Sequence, residues 1–141
     1  MANKVYPKGK AAFMRGEINL VTDTINVQLV SEAVDFDTAH EFFDDIATGA
    51  TNRIGATTAL ASKTVTVSGE DSIFSATNPT IAGVPMGTDV DAYIIYKVGD
   101  SEGESPLLAF VDTDSTGDFT VTPNGSAILI DWAGSGEVFR F

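Results

Sequence analysis

Apolar and polar residues alternate in short runs along most of the chain, and glycine, proline or asparagine separates the runs. Residues 18–30 form the first such region, with a break at Thr22-Asp23. After the break, Ile25, Val27 and Leu29 alternate with Asn26 and Gln28, the period of a strand with one face inward and one face wet. The same alternation returns at 63–68, where Val65 and Val67 are set against Thr64 and Thr66. A turn at Gly69 leads into a further strand at 71–76, and Asn78-Pro79 and Gly83-Val84-Pro85 mark a loop region. Residues 89–98 are different. Tyr93, Ile94, Ile95 and Tyr96 are a continuous apolar centre, which predicts burial on both faces and a central place in a sheet. An acidic loop, 99–105, returns the chain to a strand at 106–111. Strands at 117–121 and 126–132 flank Pro123-Asn124-Gly125, a hairpin signal. Gly134 and Gly136 mark a last turn before a terminal strand at 137–141.

Two segments carry helical spacing instead. Val5–Arg15 is predicted as a short helix, with Pro7 in the first turn and Gly16 to stop it. Tyr6 and Phe13, one heptad apart, suggest an apolar stripe along it. Ala39, Phe42, Phe43 and Ile46 lie at i, i+3, i+4 and i+7, which predicts a second helix over 37–46. Thr38 and Glu41 have capping-box spacing there. The expected fold is therefore mainly β: an antiparallel β-sandwich or small barrel with two short helices in the N-terminal third. No repeat or linker divides the 141 residues, so one domain is expected, with a basic N-terminal helix or arm over 1–16 and a β-rich body over 17–141.

Charge narrows the function. Eight Lys and Arg face twenty Asp and Glu, a formal net charge of −12. That balance argues against nucleic acid and against an anionic membrane surface as partners. No long apolar run follows the N-terminus, so no signal peptide is expected, and no stretch reaches the roughly 18 apolar residues of a membrane helix. The charge is also unevenly placed. Lys4, Lys8, Lys10 and Arg15 all lie in the first fifteen residues, which hold no acid. Such a segment suits docking on an acidic neighbour, or it is simply a solvated helix face.

Candidate chemistry is sparse. The chain has no cysteine and one histidine, which excludes a thiol nucleophile and a multi-histidine metal cage. His40 stands among Asp35, Asp37, Glu41, Asp44 and Asp45. Its two readings are a metal ligand or general base held by a carboxylate, and a polar face opposite Phe42 and Phe43. Asp112, Asp114 and Asp118 occupy alternating loop positions near Gly117, a loose likeness to calcium-loop chemistry. The glycine and the closing glutamate are not where an EF-hand places them, and Asp and Gly are ordinary turn formers. No Gly-x-Ser-x-Gly, Walker or Gly-x-Gly-x-x-Gly sequence is present. No catalytic residue, cofactor or metal is assigned. Trp132 reads as an interface anchor or a core residue, and Phe139 and Phe141 as part of a terminal strand that pairs with a neighbour or completes its own sheet.

The segment Lys8–Val30, the aspartate- and histidine-bearing run Phe36–Ile46, and the strand-and-turn runs Ala92–Lys97, Leu108–Asp112 and Thr122–Gly125 together resemble small structural proteins of tailed bacteriophages. Ile128–Trp132 and Val138–Phe141 fit the same pattern, so the resemblance spans nearly the whole chain. It rests on strand and turn patterns, not on chemistry. It implies a virion component made in the bacterial host cytoplasm. The expected role is a capsid decoration or cement protein that binds the major capsid protein of the assembled head. A neck or tail accessory is the alternative, and a receptor- or glycan-binding module is more distant. A homo-oligomer is compatible with each. The expected partner-binding residues are Lys4, Lys8, Lys10, Arg15, Trp132, Phe139 and Phe141.

Overall fold

A computed structural model describes residues 4–114, 117–132 and 137–140. The chain opens with a two-residue strand, β1 (Lys4–Val5), and the helix α1 (Pro7–Met14). Strands β2 (Ile25–Val30), β3 (Arg53–Ala59), β4 (Thr64–Ser68), β5 (Asp71–Ser75) and β6 (Thr80–Ile81) follow. The second half supplies β7 (Ala92–Lys97), β8 (Leu107–Val111), β9 (Thr113–Asp114), β10 (Gly117–Asp118), β11 (Ile128–Leu129) and β12 (Glu137–Arg140). Pairing is antiparallel in each described ladder. The largest sheet has the order β1-β8-β7-β2-β3, and a second has β12-β5-β4. Two-stranded pairs β11-β6 and β10-β9 complete the described strands.

The apolar run at 93–96 sits at the centre of the five-stranded sheet, as its composition predicts. Its two faces serve two apolar clusters. Tyr93 and Ile95 join Val27, Leu29 and Val111 on one side, together with Phe74, Val138 and Phe139 of the second sheet. Ala92, Ile94 and Tyr96 join Tyr6, Val30, Phe43, Ile46 and Phe110 on the other. Both faces of the main sheet are thus covered, which is why alternation fails to mark a wet face in β2. Gln28 is buried instead, and its Nε2 donates to the carbonyls of Leu29 and Ile54 at 2.9 and 3.0 Å. The register between β2 and β3 slips there, from Val27↔Thr58 to Leu29↔Ile54. Gly55, at φ +71, supplies the left-handed residue that this bulge needs.

Two further expectations are corrected. The helix over 37–46 is not formed; the segment holds one 3-10 turn, Phe43–Asp45. Its aspartates take the backbone groups a helix would use. Asp37 Oδ1 accepts from the Ala39 N–H, and Asp45 Oδ2 accepts from those of Glu41 and Phe42. Phe43 and Ile46 still reach the core, while Phe42 forms a strand-like bridge to Pro106. Likewise, 117–121 and 126–132 do not pair with each other. Asn124 Oδ1 accepts from the Ser126 N–H and Gly125 has φ +88, so the local turn chemistry is present. The flanking residues pair elsewhere: Val121 bridges Val90, and β11 pairs with β6. The turn marked by Gly134 and Gly136 lies outside the described residues.

The N-terminal helix is present but shorter than predicted, because Lys4 and Val5 pair with Phe110 and Ala109 as an edge strand. Gly9 explains how close α1 lies to β8. A Cβ there would stand 2.2 Å from the Leu107 carbonyl oxygen, so only glycine permits the contact. Gly16 ends the helix at φ +76, as expected of a C′ glycine. Tyr6 and Phe13 do not share one stripe: Tyr6 caps the helix inside the second cluster, and Phe13 packs on the first. No described helix is long and apolar enough to cross a membrane.

Candidate partner-binding surface

The basic N-terminal segment is laid against the main sheet, and its charges are largely met within the chain. Lys4 Nζ lies 2.6 Å from Asp112 Oδ2 and over the rings of Phe36 and Phe110. Lys8 reaches Glu41 at 3.4 Å, and Arg15 pairs with Glu17 at 2.6 Å. Both pairs are solvent-exposed, where such contacts contribute little. Gly9 and Ala12 face inward, while Pro7, Lys8, Lys10, Met14 and Arg15 face solvent. Met14 is 88% exposed, so α1 presents an apolar tip to solvent. Of the predicted set, Lys8 and Lys10 lie along the solvent-exposed side of α1 with Arg15 at its end, and Lys4 lies on β1 just before it.

The aromatic candidates lie elsewhere. Trp132 is buried in the first cluster, where its Nε1 donates to the Tyr93 hydroxyl at 3.1 Å. Its backbone N–H donates to Asn78 Oδ1 at 3.0 Å. Phe139 is buried against Phe74, ring centroids 5.3 Å apart. Both side chains are buried in the free chain. Phe141 lies outside the described residues.

His40 sits in the irregular segment before the 3-10 turn, half-buried, with its Nδ1 buried and without a hydrogen-bond partner. Its neighbour Asp45 is held below the usual carboxylate range by the two backbone N–H groups of Glu41 and Phe42. Those bonds tie down the turn that places Phe43. The Phe43 ring stacks on Tyr96 at 4.1 Å, and the Arg53 guanidinium covers its other side at 4.0 Å. Arg53 Nη2 also donates to the carbonyls of Phe43 and Ile46. Of the acidic run, Asp37 and Asp45 thus serve turn chemistry, and Glu41 pairs with Lys8. Asp112 gives one oxygen to Lys4 and keeps Oδ1 buried without a partner. The side chains of Asp114 and Asp118 lie outside the described residues. Among the described residues, no group of three or more acidic or histidine side chains is placed to hold a metal ion.

Sequence reasoning missed one surface. An apolar groove of about 380 Å³ runs between α1, the loop 18–21 and the second sheet, lined by Phe13, Ile18, Leu20, Val65, Phe74 and Phe139. Beside it, every residue of β4 is exposed, Val67 at 75%. Among the described residues β4 pairs only with β5, which leaves its outer edge open. The alternation at 63–68 was the available signal, but it cannot tell a covered face from an open one. Comparison of the chain with protein-family models, with curated proteins and with solved structures finds no match in any of the three.

Proposed function

We propose that this chain is a structural protein of a tailed-bacteriophage virion, acting as a decoration or cement protein on the assembled head. The finer fold reading belongs to the same proposal: an antiparallel sandwich in which the five- and three-stranded sheets share one core. Supporting that pairing of sheets, Val27 and Ile95 lie in the same apolar cluster as Phe74 and Phe139. The partner would be the major capsid protein, and the location the phage particle after synthesis in the host cytoplasm. No enzymatic activity is proposed.

The observation that carries the docking reading is the solvent face of α1. Met14 is exposed there with Lys10 one turn before it and Arg15 next to it, on a chain whose net charge is −12. An exposed apolar tip flanked by Lys10 and Arg15 suits a shallow acidic depression on a shell lattice, and the acidic remainder keeps decorated particles apart. Binding only the assembled lattice stabilises it by mass action. A glycan-binding module is less well supported, because among the described residues no aromatic side chain is exposed.

Deleting residues 1–15 is a poor test, since it also removes the buried Tyr6 and Ala12 and the β1 edge. The variant Lys8→Glu/Lys10→Glu/Met14→Ser alters only exposed side chains. Co-sedimentation with tailless heads purified free of this protein should show saturable binding of the native chain. The variant should bind at least about tenfold more weakly, with its melting temperature within a few degrees of native. Equal binding by both, or no binding to heads by either, removes the decoration reading. Binding to isolated necks or tails instead would move the protein to the head–tail junction.

A further inference from the structure

We infer that the open edge of β4 is a self-association site, through which two copies of this chain pair strand to strand about a two-fold axis at Thr66. The inference stands on the second sheet and is independent of the virion reading, which uses α1.

An exposed strand edge offers a row of unpaired N–H and C=O groups to any extended chain. Proteins normally blunt such edges with charge, proline, bulges or brevity. The other edges of the two larger sheets show those devices. β1 is two residues long and begins with Lys4. β3 is bulged at Gly55. β12 carries Glu137 and Arg140, paired at 2.5 Å, and its register against β5 is broken by a bulge. β4 shows none of them. Its five residues, Thr64-Val65-Thr66-Val67-Ser68, hold no charge, no proline and no glycine, and its register with β5 runs unbroken from Thr64↔Ser75 to Ser68↔Asp71.

The occupant follows from the symmetry of that sequence. Antiparallel pairing of two β4 strands about Thr66 sets Thr66 against Thr66, Val65 against Val67, and Thr64 against Ser68 of the second copy. Each is a like-with-like cross-strand pair, the arrangement that stabilises antiparallel ladders. Any antiparallel register of β4 with its own copy is isologous, and the one about Thr66 is the register that pairs all five of its residues. It also brings Lys63 of each copy, whose Nζ donates to the Asp23 carbonyl of its own chain, beside the Gly69-Glu70 turn of the other. On the groove side, the exposed Val65 and Val67 of the two copies close over one another, continuing the apolar lining of Phe13, Leu20 and Phe74. The two sheets join as one of six strands, and neither β4 edge remains open.

Two chains of net charge −12 repel, and five residues make a small interface, so the dimer is weak and salt-assisted. Sedimentation velocity of the full chain, from about 5 µM to about 1 mM, should show the weight-average coefficient rising from monomer toward dimer. The dissociation constant should fall roughly threefold or more between about 0.05 and 0.5 M salt. Thr66→Lys/Val67→Lys places a charge on each face of β4, and should hold the chain monomeric throughout. A second test does not depend on that variant folding. The native chain has no cysteine, so Thr66→Cys can only form a disulfide between copies. Mild oxidation should link it at least about tenfold faster than the exposed control Met86→Cys, since opposed Cβ atoms in such a pair lie within reach of a disulfide. A native chain that stays monomeric at every concentration overturns the inference and leaves the edge to a strand of another protein. So does a dimer that Thr66→Lys/Val67→Lys leaves intact, or oxidation of Thr66→Cys no faster than the control.

Discussion

β2 and β4 carry the same alternation of apolar and polar residues, and the structure treats them in opposite ways. In β2, Ile25, Val27 and Leu29 are buried, and so is Gln28 on the supposedly wet side. In β4, the polar side is exposed and so are Val65 and Val67. A period of two states which residues share a face; it says nothing about whether that face is covered. Coverage comes from neighbours. β2 lies between β7 and β3, with an apolar cluster above and below, whereas β4 has β5 on one side and solvent on the other. The first strand is built for stability, and the second leaves pairing capacity unused.

The largest expected effect tests that division directly. Leu29→Ala removes a fully buried side chain facing the shared core and should cost about 2–5 kcal/mol of unfolding free energy. Val67→Ala, on the exposed strand, should stay within about 0.5 kcal/mol at concentrations where the chain is monomeric. Denaturant unfolding of both variants measures the gap. A Val67→Ala loss approaching that of Leu29→Ala would show that β4 is covered in the free chain, and the contrast would collapse.

A smaller effect isolates the polar residue that alternation misplaced. Gln28 satisfies two backbone carbonyls at the β2–β3 bulge, and Gln28→Ala leaves both without that donor. A buried acceptor left unpaired costs about 1–3 kcal/mol, so the variant should unfold at correspondingly lower denaturant. Thr66→Ala, at the matching polar place in β4, should be close to neutral. Hydrogen exchange of the amides in 53–59 should accelerate in Gln28→Ala ahead of the rest of the main sheet, because the bulge is the part that the glutamine holds.

Much of the fold was legible where a local signal had no competitor. The continuous apolar run at 93–96 placed β7 at the centre of its sheet, and Gly16 marked the helix end. Signals failed where side chains compete with the backbone or where partners are distant. The helical spacing at 37–46 lost to aspartates that bond the backbone N–H groups of Ala39, Glu41 and Phe42. Asn124 and Gly125 made their turn, but β11 found β6, some fifty residues earlier, and no local pattern encodes that choice. The candidate surface divided in the same way. The basic face of α1 was visible as charge, because Lys8, Lys10 and Arg15 are close in sequence. The burial of Trp132 and Phe139 depended on β5 and β7, which only the folded chain brings to them.

The smallest expected effect separates the two regions by how each holds a carboxylate. Asp45, beneath the main sheet's second cluster, is lowered chiefly by hydrogen bonds from the backbone N–H groups of Glu41 and Phe42. Glu137, on β12 of the smaller sheet, is lowered chiefly by the Arg140 guanidinium. For both, the folded value lies below the unfolded one. The stability each contributes is therefore fully present above its unfolded pKa, near 4, and is lost as pH falls through the lower folded value. Thermal unfolding of Asp45→Asn and Glu137→Gln should show each variant below the native chain at pH 7. Each gap should close toward pH 2, once the native carboxyl is itself protonated. Salt then tells the two apart. The Glu137 pair is exposed at Arg140, so its gap at pH 7 should shrink in about 1 M salt, where charges are screened within roughly 3 Å. The Asp45 gap should persist, because a carboxylate seated on two backbone N–H groups holds its turn by directed bonds at 2.7 and 3.0 Å, inside any screening length. Equal salt sensitivity at the two sites would mean that both regions hold their carboxylates by charge alone, and the contrast between a bonded core and a lightly held second sheet would lose its electrostatic half.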